Sequence, residues 1–82
     1  MTTEADDIDA RVRGVLSDVF GIDADAIGPD TSKDTVKGWD SLQQLTLTLS
    51  LEEEFGIRFS DDETVSLVTY PLILLIVTEL LV

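Results

Sequence analysis

Ser41 follows Gly38, Trp39 and Asp40 and is the residue of this chain best placed to carry chemistry. A serine hydroxyl becomes a catalytic nucleophile only when a base takes its proton, and the chain has no histidine to complete a triad. The run Gly38-Trp39-Asp40-Ser41-Leu42 also lacks the second glycine of a nucleophile elbow. There is no cysteine, so disulfides and thiolate metal sites are excluded. What is left to Ser41 is passive use of its oxygen, either to cap the helix that follows or to accept a covalent group from another protein. The local residues leave both uses open.

A second candidate chemistry is metal binding. Asp23, Asp25, Gly28 and Asp34 fall on the first, third, sixth and twelfth places of a calcium loop. Ile27 occupies the fifth place, where an oxygen ligand is needed, and Asp34 stands where a bidentate Glu is required. No helical pattern follows directly, so a metal site is not expected here.

The elements that must position Ser41 follow from apolar spacing. Ile8, Val12, Val15, Leu16, Val19 and Phe20 recur at helical intervals, which predicts a helix from Glu4 to Phe20 with Thr2 or Thr3 as its cap and Gly21 at its end. Residues 21–39 show no sustained period and form a long loop, pinned by Ile22, Ile27 and Val36. Loops of this length in a compact domain usually have a function.

The segment Leu45 to Leu51, LTLTLSL, alternates like a half-buried strand. Its flanks decide against that reading. Asp40 or Ser41 can start a helix, Glu52, Glu53 and Glu54 are good helix formers, and Gly56 can stop it, so a helix is predicted from Ser41 to Phe55. At about 100 degrees per residue this helix carries two apolar stripes, one of Leu47, Leu51 and Phe55 and an opposite one of Leu42, Leu45 and Leu49. A small domain can bury one of them. The other is expected to meet a partner.

Ser60, with Asp61, Asp62 and Glu63, opens a short helix ending near Leu67. Thr69 caps a last helix with Pro71 in its first turn, running to about Leu81. The result is an all-α, four-helix bundle with a long first loop and a short third helix, in one domain over residues 1–82. Leu72 to Val77 is apolar at every position, so the last helix cannot hide all its side chains; extra core, a dimer surface and interfacial lipid contact are all open.

Seventeen acidic against five basic residues give a net charge of -12, which repels nucleic acid and anionic head groups and attracts basic protein surfaces. Met1 to Asp9 is polar and acidic, unlike a signal peptide, and a cytoplasmic location is expected. Val65 to Leu81 contains Pro71 and Glu79 and lacks flanking basic residues, so a membrane span is not expected.

Taken together, Gly38-Trp39-Asp40-Ser41-Leu42, the two-faced helix ending Leu51-Glu52-Glu53-Glu54-Phe55-Gly56-Ile57, and the acidic start at Asp61-Asp62-Glu63 resemble the acyl carrier protein family. The resemblance covers nearly the whole chain in the same element order. It implies that Ser41 carries a 4'-phosphopantetheine arm, added from coenzyme A by a phosphopantetheinyl transferase, with acyl groups held on the arm's thiol as thioesters. It implies a carrier rather than an enzyme, serving fatty acid biosynthesis or related lipid or polyketide-type pathways. By the same resemblance Asp40, Leu42, Leu45, Leu49, Glu52 and Glu53 form the face read by acyl-activating, acyltransferase or condensing enzymes with basic surfaces. Leu47, Leu51 and Phe55 would line the core and any acyl cavity.

Two features depart from the family pattern. Gln43 and Thr46 are neutral where acidic residues are common, with Lys33 and Lys37 in the preceding loop, and the final helix is unusually apolar. Both point to a specialised stand-alone carrier with its own partner enzymes. An aminoacyl or peptidyl carrier, an unmodified helical interaction module and a lipid-binding amphipathic protein are the alternatives.

Overall fold

A computed structural model describes residues 4–81, with side chains from residue 8 onward. Four α-helices follow one another without a strand among the described residues: α1 (Glu4–Phe20), α2 (Ser41–Phe55), α3 (Asp61–Ser66) and α4 (Tyr70–Leu81). This is the bundle expected from the sequence. The Thr2 or Thr3 cap lies outside the described residues.

Helix α1 turns Val12, Val15 and Leu16 into the core and rests Ile8, Val19 and Phe20 against it. It packs mainly on α2 and α4. Gly21 closes it at φ 67°, a left-handed conformation that suits a residue without Cβ, and its amide donates to the Ser17 carbonyl at 2.8 Å.

Helix α2 forms in spite of its alternating sequence, closed by the Asp40 cap and by Gly56, and its threonines are satisfied within the helix. The Thr46 hydroxyl donates to the Leu42 carbonyl at 3.1 Å and the Thr48 hydroxyl to the Gln44 carbonyl at 2.9 Å, so the buried Thr48 leaves no polar atom stranded. Gly56 ends the helix at φ 65°. Below it, α3 opens with a complete capping box: Ser60 Oγ accepts from the Glu63 amide, and the Glu63 carboxylate accepts from the Ser60 amide. At the start of α4, Thr69 Oγ1 accepts from the Leu72 amide at 3.1 Å. Pro71 sits in the first turn, where no intrahelical donor is required.

The loop between α1 and α2 is held at several points. Ala24–Ala26 forms a short 3-10 turn that the sequence pattern did not indicate. The Arg13 guanidinium donates to the Ala24 carbonyl at 3.3 Å and to the Ile27 carbonyl. Ile27, at the fifth place of the calcium template, is buried in the core, while Ile22 and Val36 pack partly against it. Further on, Ser32 and Thr69 pair as an isolated antiparallel bridge: the Lys33 amide donates to the Val68 carbonyl and the Tyr70 amide to the Thr31 carbonyl, each at 2.8 Å. The loop is thus tied to α1 at one end and to the α3–α4 link at the other.

On α4, Tyr70, Ile73 and Val77 enter the core and Leu74 and Ile76 lean on it, whereas Leu72, Leu75 and Leu81 are exposed. No helix among the described residues is long and apolar enough to cross a membrane.

Candidate functional site

The chain arrives at Ser41 through Gly38 and Trp39. Gly38 adopts φ 91°, which an L side chain rarely tolerates, and the turn swings Trp39 inward. The indole is buried in the core with its ring centroid 4.6 Å from that of Phe20. Immediately afterwards the backbone emerges, and Asp40 and Ser41 are exposed.

Asp40 is the helix cap. Its backbone is extended, its Oδ1 accepts from the Gln43 amide at 2.9 Å, and its carbonyl takes the first helical bond from the Gln44 amide at 2.8 Å. Ser41 is therefore the first residue inside α2, and capping does not use its hydroxyl. That hydroxyl has no hydrogen-bond partner among the described residues. Of the two passive roles left open for Ser41, the structure gives capping to its neighbour.

The start of α2 is fixed by two glutamines. The Gln43 side chain donates to the Val19 carbonyl at 3.1 Å, joining α2 to the end of α1. The Gln44 side chain accepts from Trp39 Nε1 at 2.6 Å and donates to the Thr64 and Leu67 carbonyls at 3.2 and 2.8 Å. Sequence reasoning treated Gln43 only as a missing acid and assigned Gln44 nothing. For Gln44 a signal was present: it shares a helical face with Leu47, Thr48 and Leu51, which are buried, so its polar group has to be satisfied by the protein.

The sides of α2 separate as expected. Leu47 and Leu51 are fully buried and Phe55 nearly so, while Leu42, Leu45 and Leu49 are exposed. Glu53 stands exposed beside this outer stripe. Glu52 is half-buried, and its Oε2 accepts from the Phe59 amide at 2.9 Å, so the carboxylate holds the turn after α2 in place. Glu54 pairs with Arg11 at 2.9 Å, and the same guanidinium lies 4.5 Å from the Phe55 ring centroid. The structure thus leaves Leu42, Leu45, Leu49 and Glu53 exposed along the outer side of α2, and Asp40 exposed at its start, where it caps the helix. Glu52 is partly turned to an internal task.

Concavities flank α2 between Val15, Val19 and Ser50, and between Leu49, Ile57 and Arg58. Leu47, Leu51 and Phe55 line neither of them; they lie in the core. Lys33 and Lys37 are exposed in the loop before Ser41.

An anion attached at Ser41 suits this place. The N-terminus of a helix presents unpaired amides and the positive end of the backbone dipole, which favour a phosphate. The hydroxyl is open, and the chain has no histidine to activate it.

Comparison with known proteins gives concordant results. The family model described as "Phosphopantetheine attachment site" matches residues 10–70. The chain is 36% identical over 63 residues to the acyl carrier protein of Sinorhizobium fredii (strain NBRC 101917 / NGR234), covering 77% of this chain and 81% of that protein. The acyl carrier protein AcpP of Rhizobium meliloti (strain 1021) matches with the same identity and coverage.

Proposed function

Since this chain belongs to the acyl carrier proteins of the phosphopantetheine-attachment family, we propose that the Ser41 hydroxyl is the point at which its phosphopantetheine arm is attached. The protein is a carrier of acyl groups and not an enzyme, and its cofactor is phosphopantetheine. When bound, the arm supplies the thiol that the chain itself lacks, and acyl groups are held there as thioesters.

The observation that carries the assignment to Ser41 is the division of labour with Asp40. Asp40 caps α2, and the neighbouring hydroxyl is left exposed at the positive end of the helix. In the attachment reaction the serine oxygen takes the place of the nucleotide half of coenzyme A on the phosphate, and the proton passes to the transferase.

The outer stripe of Leu42, Leu45 and Leu49 with the exposed Glu53, together with Asp40 exposed at the head of the helix, is the docking face in this reading. Exposed leucines offer desolvation, and the net charge of -12 draws partners with basic surfaces. The transferase and the acyl-activating, acyltransferase or condensing enzymes of a lipid or polyketide-type pathway are partners of this kind. The neutral Gln43, whose side chain is turned to Val19, and the exposed Lys33 and Lys37 suit a partner set of its own.

Intact mass spectrometry after incubation with coenzyme A and a broad-specificity phosphopantetheinyl transferase tests the site. Wild type gains the mass of one arm and Ser41→Ala gains none. A gain that survives in Ser41→Ala moves the attachment to another residue.

A further inference from the structure

We propose that Gln44 is a positioning residue for the attachment reaction: its side-chain amide latches the turn that presents Ser41 to the C-terminal end of α3. The inference rests on Ser41 being the attachment residue. It goes beyond that reading by naming what fixes the hydroxyl in space.

Three contacts carry it. Trp39 Nε1 donates to Gln44 Oε1 at 2.6 Å, and Gln44 Nε2 donates to the Leu67 carbonyl at 2.8 Å and the Thr64 carbonyl at 3.2 Å. An indole N–H can only donate and a carbonyl can only accept, so the orientation of the amide is settled by its partners. Only a group with an acceptor and two donors on one planar head satisfies all three. Glutamate keeps the acceptor and loses the donors; leucine keeps the bulk and loses both.

The contacts enclose Ser41. Trp39 precedes it by two residues, is buried against Phe20, and is tied to a residue in the first turn of α2 that follows it. The two carbonyls belong to the last turn of the six-residue α3 and to its cap residue Leu67, whose own amide donates to the Thr64 carbonyl at 3.3 Å. The amide of Gln44 therefore fixes the Ser41 turn from within and sets its place relative to α3. The outer stripe of Leu42, Leu45 and Leu49 is not part of the latch.

Positioning and docking can be separated in the transferase reaction. Loss of the latch leaves the docking face intact and lets the nucleophile wander, so kcat falls while KM is retained. We expect Gln44→Leu to lower kcat about tenfold or more with KM within about twofold of wild type. The single tryptophan supplies an independent readout: its emission changes in Gln44→Leu as the indole N–H loses its acceptor, with the helical circular dichroism preserved. Trp39→Phe reads the same bond from its other end, and in the double variant Trp39→Phe with Gln44→Leu the losses in kcat are less than additive. A folded Gln44→Leu with wild-type kcat overturns the proposal, as does a fall confined to KM. If Gln44→Leu loses its helical signal, Trp39→Phe decides: a lowered kcat at unchanged KM supports the latch, and an unchanged kcat overturns it. Failure of the underlying site is distinguishable, because then the mass gain of the wild type survives Ser41→Ala.

Discussion

Leu47 and Leu51, on the inner side of α2, are fully buried, whereas Leu42, Leu45 and Leu49 on its outer side keep 71%, 55% and 55% of their surface in water. One helix thus uses the same side chain in two ways. Burying a leucine contributes about 1.5–3 kcal/mol, so the inner stripe holds the bundle together. The outer stripe returns little of that stability and makes the surface more adhesive. Its placement on the helix headed by Ser41 agrees with a face that meets other proteins, and the internal bonds of Gln43, Gln44 and Thr48 keep the two sides from exchanging.

The most severe break in this comparison is Leu51→Ala. Truncation in a closed core costs about 2–5 kcal/mol, a large part of the stability of a domain this size, and should lower the urea midpoint steeply. A loss below about 1 kcal/mol in urea unfolding contradicts the assignment of the inner stripe to the core.

Gly56→Ala comes next, at about 1–2 kcal/mol by the same measurement. A Cβ at this position meets no atom within 4 Å, so the cost arises from the backbone at φ 65° and not from a clash. Asp40→Ala removes the cap and should cost about 1 kcal/mol. If Asp40→Ala and Ser41→Ala destabilise equally in thermal unfolding, capping is shared and the Ser41 hydroxyl is not as free as the structure has it.

Leu45→Ala sharpens the comparison from the opposite side. Stability should change by no more than about 0.5 kcal/mol, while KM for the transferase rises several-fold as an apolar contact is lost. A destabilisation approaching that of Leu51→Ala would erase the distinction between the two sides.

The sequence displayed much of this arrangement. The ends of α2 were legible from Asp40 and Gly56, and the buried and exposed stripes from the 3.6-residue period, even though LTLTLSL alternates like a strand. The structure adds how the threonines are accommodated in a helix: the hydroxyls of Thr46 and Thr48 bond to carbonyls one turn back. Which of Asp40 and Ser41 caps the helix was not legible, since both side chains can do so.

Long-range polar contacts were least visible. Gln44 meets carbonyls of residues 64 and 67, and Ser32 pairs with Thr69. Neither partner is marked by local spacing. Glu52 looked like a surface charge, and its bond to the Phe59 amide depends on how the chain turns at Gly56. Arg13 was likewise passed over, although it holds the first loop by the Ala24 and Ile27 carbonyls.

The most direct test is the mass of the protein isolated from its own cell, followed by fragmentation to locate any addition. The account predicts one phosphopantetheine arm on Ser41, with or without an acyl group on its thiol. An arm on a different residue, or a wholly unmodified chain in cells that contain an active phosphopantetheinyl transferase, would contradict it.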